Sequence, residues 1–120
     1  DWFDCIPDYY TPVLIASEQT IAERPELVRR FLQAVSRGYQ FAIDDPQEAA
    51  EILLAAAPEL DSELVHASQA WISPQYQAEA ARWGEQSFDV WQDYTNWMLE
   101  HDIITEAIDA NAAFSNEFLP

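Results

Sequence analysis

Residues Thr11 to Ala16 read Thr-Pro-Val-Leu-Ile-Ala, a short and nearly continuous apolar run in a chain otherwise patterned for helix. Continuity, in place of alternation, is the pattern of a strand covered on both faces, as in a parallel sheet. A strand cannot satisfy its own backbone donors and acceptors, so its partners must come from elsewhere. The expectation is therefore a mainly α chain with one or two strands. Residues 1–120 form one partial domain, completed by polypeptide outside them.

The helical segments carry their own start signals. Ser17 is placed to cap a short helix through about Glu23, and Pro25 restarts a longer one, since proline is tolerated in a first turn. Leu27, Phe31 and Val35, with Val28 and Leu32 beside them, make an apolar stripe that continues past Gly38 through Tyr39, Ala42 and Ile43. Asp45, Pro46 and Glu48 have the spacing of a capping box, followed by Ile52, Leu53 and Ala56 as the residues expected to bury the next helix. Asp61 or Ser62 starts a helix bearing Leu64, Val65, Ala67 and Trp71, and Ser73-Pro74 breaks it and opens a short one towards Arg82. Gly84 ends that segment. Ser87 then caps a helix with Phe88, Trp91, Tyr94 and Met98 on one side, widened by Val90 and Trp97. A turn is expected near Asp109 to Asn111.

Composition excludes several functions. The net charge is −17, from 22 carboxylates against five arginines, and there is no lysine. Phosphates would be repelled, so nucleic acid is excluded as a partner, and an anionic membrane surface is disfavoured on the same grounds. No apolar run approaches the roughly 18 residues of a membrane span, so this segment inserts into no membrane. No signal peptide is recognisable, and a mature or truncated product would show the same absence. Five tryptophans, five tyrosines and six phenylalanines supply the apolar surface that a disordered chain lacks. Cys5 is the single cysteine, which excludes an internal disulfide and a cysteine-based zinc site.

Catalytic constellations are missing as well. His66 and His101 have no second histidine at ligand spacing. Glu63 precedes His66 by three residues, the spacing of an exposed helix pair, and His101 sits where it would cap a helix C-terminus. No serine has the glycine-flanked turn of a nucleophile, and two isolated glycines cannot build a phosphate loop. No cofactor or metal is implied. Trp71, Trp83, Trp91, Tyr94 and Trp97 at helical spacing are expected to pack in a core. Asp8, Tyr9 and Tyr10 differ, because they stand just before the expected strand. Strand ends are where ligands gather in open α/β sheets, and a planar heterocycle would stack on tyrosine and hydrogen-bond to Asp8. Strand-flanking tyrosines also pack structurally.

The ordered set Ile6-Pro7-Asp8-Tyr9-Tyr10, Pro25-Glu26-Leu27-Val28-Arg29-Arg30-Phe31-Leu32, Trp83-Gly84-Glu85-Gln86 running into Trp91, Tyr94 and Trp97, and Phe114-Ser115-Asn116-Glu117-Phe118-Leu119-Pro120 covers nearly the whole chain. In this order it resembles the C-terminal part of the thiamine-pyrimidine-precursor binding proteins. These are solute-binding components of ABC importers that share a family with the fungal pyrimidine synthases of thiamine biosynthesis. Cys5 stands where relatives usually carry glycine, and Ser115 where threonine is more usual. The resemblance implies a C-terminal fragment of a type II periplasmic-binding-protein α/β fold, whose two lobes close on a pyrimidine-like solute. It further implies a permease partner, a missing N-terminal lobe of the same protein, and a periplasmic or extracellular location with a lipid anchor as one option at the missing N-terminus. Two other classes compete. One is a segment of a pyrimidine synthase, but that chemistry consumes a histidine and holds pyridoxal phosphate on a lysine, which this segment lacks. The other is a free-standing helical interaction domain, which the unpartnered strand opposes. A non-enzymatic binding fragment is the leading expectation.

The acidic balance is either a set of solvated helix faces or an adaptation to a salty medium. Adaptation predicts a melting temperature that rises towards molar salt, because screening shortens the reach of repulsion to about 3 Å at 1 M. Equal melting temperatures in low salt and molar chloride would leave the surface simply acidic.

Overall fold

Five of the helices begin where the sequence supplies a side-chain acceptor for a first-turn N–H group, one of the four left unpaired at every helix start. The structure, a computed structural model, describes residues 5–120. In α1 (Glu18–Glu23), Ser17 Oγ accepts from Thr20 N–H at 3.1 Å. α2 (Pro25–Asp44) opens on its proline and runs unbroken through Gly38. In α3 (Pro46–Ala56), Asp45 Oδ1 accepts from Glu48 N–H at 3.0 Å. Asp45 N–H itself donates to Phe41 O in the last turn of α2, so only half of the capping box forms. Asp61 caps α4 (Ser62–Ile72), Ser87 caps α5 (Phe88–Glu100) and Asp109 caps α6 (Ala110–Ala113). The short helix expected after Ser73 is a 3-10 turn, Ser73–Tyr76, followed by irregular turns, and the turn expected at Asp109 is the start of α6.

These elements make two units. The first joins the residues up to Arg24 with Gln86–Phe118; the second is Pro25–Glu85 with Leu119–Pro120. In the second unit α2 packs on α3 and on the 3-10 turn, and α3 packs on α4. Tyr39 of α2 meets Tyr76 edge-on at 4.8 Å and stacks on Trp83 at 4.9 Å, closing the 3-10 turn against α2. Gly84 has φ +80°, and a Cβ there would approach Leu119 Cδ2 to 3.1 Å, so backbone geometry and the neighbouring chain end both require glycine.

The strand expected at Thr11 to Ala16 is absent. Residues 11–16 are irregular, and no strand occurs among the described residues. The reason is the one that motivated the expectation: an edge needs a partner, and the described residues offer none. Val13, Leu14 and Ile15 are left exposed, Ile15 by 91%.

The expected apolar faces are also displaced. α2 packs through Val28, Leu32, Val35, Tyr39 and Ala42, while Leu27 and Phe31 remain exposed. In α3 the buried residue is Ala50, and Ile52, Leu53 and Ala56 face outward. Trp71, expected in a core, is 72% exposed. Among the described residues the fully buried apolar side chains are Ala50 and Ala110, with Ser73 and Thr95 as buried polar ones. Ser73 Oγ accepts from Gln69 Nε2 at 2.8 Å, whereas Thr95 Oγ1 has no hydrogen-bond partner among the described residues.

Two substitutions follow from this packing. Asp45→Ala and Asp61→Ala should each cost about 1 kcal/mol in denaturant unfolding, through the lost cap. Thr95→Val should cost little or stabilise, because it removes a buried hydroxyl without a partner. A loss from Thr95→Val as large as that from the caps would show that the hydroxyl is bonded.

Candidate functional site

The site is built on α5. Its start is fixed by a reciprocal amide contact: Gln86 N–H donates to Asn116 Oδ1 at 3.0 Å, and Asn116 Nδ2 donates to Gln86 O at 2.7 Å. The Gln86 side chain then accepts from the Trp91 indole N–H at 2.8 Å, and the Trp91 ring lies parallel to Phe114 at 6.2 Å. Residues from the Trp83–Gln86 tract and from the closing Phe114–Pro120 segment thus hold each other. Their role in these contacts is architectural.

Along α5, Tyr94, Trp97 and His101 follow at intervals of three and four residues, which places them on one side of the helix. Tyr9 stacks on Tyr94 at 4.9 Å, Tyr94 lies parallel to Trp97 at 5.9 Å, and Trp97 stacks on His101 at 4.4 Å. The four rings form one row. His101 occupies the C-cap of α5, as its position indicated, and its Nδ1 lies 2.8 Å from Trp97 O. Trp97 Nε1–H donates to Cys5 O at 3.0 Å, which fastens the N-terminal segment to α5.

Beside this row lies an open cleft of about 580 Å³. Its walls are Cys5, Ile6, Pro7 and Asp8 on one side, and Asp93, Asn96, Trp97 and Glu100 on the other. The α5 residues recur at i, i+3, i+4 and i+7, one helix face. Asn96 Oδ1 accepts from Gln92 Nε2 at 3.0 Å, which orients its amide. Three carboxylates, an amide and an indole wall together suit a small molecule rich in N–H donors.

The three sequence-selected residues take different places. Asp8 lines the cleft. Tyr9 is half-exposed and ends the ring row. Tyr10 is drawn into the frame, its hydroxyl oxygen accepting from Ser87 N–H at 2.8 Å and its ring tilted on Trp91 at 6.3 Å. Asp93, Asn96 and Glu100 were not singled out in the sequence, although their spacing with Trp97 on a polar face was the available signal. The expected Glu63–His66 pair is replaced by His66 Nε2 to Glu51 Oε1 at 3.0 Å, which joins α4 to α3. Among the described residues no group of three or more His, Cys, Asp or Glu could hold a metal ion.

Asn116→Ala should destabilise the chain by about 1–3 kcal/mol, since it strands both polar groups of a part-buried backbone. Tyr10→Phe should cost about 0.5–1.5 kcal/mol by removing the acceptor for Ser87 N–H. Chemical denaturation of the two variants checks both values, and a neutral Asn116→Ala would remove the amide exchange from the frame of α5.

Comparison with known proteins places these features in a family context. Residues 3–49 match the family described as NMT1/THI5 like. The chain is 27% identical over 92% of its length to a formylaminopyrimidine-binding protein of Halalkalibacterium halodurans. It is 32% identical over 89% of its length to the riboflavin-binding protein RibY of Chloroflexus aurantiacus. It is 31% identical over 82% of its length to a 4-amino-5-hydroxymethyl-2-methylpyrimidine phosphate synthase of Legionella pneumophila. These alignments cover 35%, 32% and 30% of the three relatives, so the chain spans about a third of their length. As the ordered motifs indicated, the chain is similar to NMT1/THI5-like proteins, by the family match over residues 3–49 and by these relatives.

Proposed function

We propose that these residues are the C-terminal part of the solute-binding protein of an ABC importer, which takes a thiamine pyrimidine precursor or a similar small heterocycle to its permease. The observation that carries this reading is the similarity to a formylaminopyrimidine-binding protein along 92% of the chain. The cleft supports it. Asp8, Asp93 and Glu100 offer acceptors to amino groups in the cleft; Tyr9 lies outside its lining, next to Asp8, where a planar ring on its outer face would extend the stacked row by one member. In this reading Asp8 and Tyr9 touch the solute, and Tyr10 braces them from the frame. Binding without turnover fits a cleft lined by acceptors and one indole. The protein would work in the periplasm or outside the cell, and the missing N-terminal lobe would supply the rest of the solute's contacts.

A synthase is the second reading, favoured by the 31% identity to the Legionella pneumophila enzyme. Its cofactor lysine would have to lie outside these residues, which contain none.

Calorimetry on the full-length protein separates the readings. An aminopyrimidine is expected to bind, and Asp8→Asn and Tyr9→Ala should each weaken it about fivefold or more, equivalent to roughly 1 kcal/mol. Tyr10→Ala should weaken it through loss of the frame, whereas Tyr10→Phe should keep the stacking. Tighter binding of riboflavin than of any aminopyrimidine would reassign the solute. Release of a modified pyrimidine on incubation would favour the synthase.

A further inference from the structure

α4 carries large apolar residues on two sides. Val65, Gln69 and Ile72 lie on the packed side, and His66 reaches Glu51 of α3 there. Leu64, Ala67 and Trp71, at i, i+3 and i+7, form a line along the other side, and all three are exposed. Leu64 is 68% exposed and Trp71 72%. Within Ser62–Ile72 the only carboxylate is Glu63, in a chain where 22% of residues are charged. A surface helix of so acidic a chain would carry its acids on the outward side, and the outward line of Leu64, Ala67 and Trp71 carries none. Eleven residues extend about 16 Å, too short for a hydrocarbon core of about 30 Å. α3 of the same unit repeats the pattern, with Ile52 and Leu53 exposed.

We propose that the outward face of α4, centred on Leu64 and Trp71, is an intramolecular interface covered by the remaining polypeptide of a longer protein. The occupant follows from length: the relatives are about three times as long as this chain, so most of a protein of that size lies outside these residues. Leucine and tryptophan at the centre of a charge-free line suit a permanent, dry contact, not a transient polar one. The inference rests on the reading of the chain as part of a longer binding protein, and it is independent of which solute that protein takes.

Hydroxyl-radical footprinting of the full-length protein, read by mass spectrometry, tests it. Trp71 should be oxidised about tenfold more slowly in the native protein than in urea, and equally so at dilute and high protein concentration. Native and unfolded rates within about twofold of each other would overturn the proposal, leaving an open surface. Protection that appears only at high concentration would overturn it in favour of a second copy of the chain. Leu64→Gln and Trp71→Gln in the full-length protein should lower the melting temperature without changing solute affinity. Affinity lost in parallel with stability would mean that the face belongs to the binding machinery. Absence of solute binding with Trp71 protected would sink the proposed solute and leave the interface standing.

Discussion

The side-chain amide of Asn116 exchanges two hydrogen bonds with the backbone of Gln86, and the arrangement of the candidate site depends on that contact. It mimics one rung of a β-ladder, satisfying a donor and an acceptor of a part-buried backbone without a strand. With Gln86 fixed, its side chain holds the Trp91 indole, and Ser87 next to it becomes the cap of α5. Tyr10 then completes the bonding of Ser87 N–H and brings Tyr9 and Asp8 alongside the helix. From there the ring row and the cleft are consequences of helical spacing alone, because Tyr94, Trp97 and His101 share one side and Asp93, Asn96 and Glu100 the adjacent one. One amide thus links the closing segment, the tract before α5 and the N-terminal segment into a single structural argument.

A different constraint governs the rest of the chain. Burying a leucine or phenylalanine contributes about 1.5–3 kcal/mol, and this sequence carries many large apolar residues that its own packing leaves open. Ala50 and Ala110 are small, so the fully buried side chains of the described residues contribute little of that energy. The irregular Val13-Leu14-Ile15 segment shows the same deficit, its three apolar side chains left exposed. Under the proposed reading, further polypeptide would cover these exposed apolar helix faces.

Start signals were legible in the sequence because capping is local. Ser17, Asp45, Asp61 and Ser87 each act on an N–H group three residues away, and no tertiary contact is needed to decide them. Helix faces were not legible, because periodicity shows that an apolar stripe exists and not which of two stripes is packed. In α2 the choice fell to Val28 and Leu32 over Leu27 and Phe31, and in α4 to Val65 and Ile72 over Leu64 and Trp71. The strand at Thr11 to Ala16 was misplaced for a related reason: strand formation is a property of a pair, and a single sequence segment describes only one member. Asp8 was reachable from its position before that segment. The residues opposite it, Asp93, Asn96 and Glu100, were hidden among many carboxylates, and only the fold separates those that face a cleft from those that face solvent.

Charge narrows the proposed solute further. The eight residues that line the cleft include three carboxylates and no arginine. Of the five arginines in the chain, Arg29, Arg30, Arg37 and Arg82 belong to the second unit, leaving Arg24 alone in the unit that forms the cleft. A phosphorylated heterocycle would meet acceptors where it needs donors, inside a field set by a net charge of −17. An unphosphorylated amino-heterocycle presents N–H donors to the same groups, and its approach is not opposed by that field. Protonation of such a ring would turn the field into an attraction that weakens with salt, whereas the stacking on Tyr9 would persist in salt. The two contributions of the proposed site are therefore separable by ionic strength: the carboxylates would set how fast and in what charge state a heterocycle arrives, and the ring row would hold it.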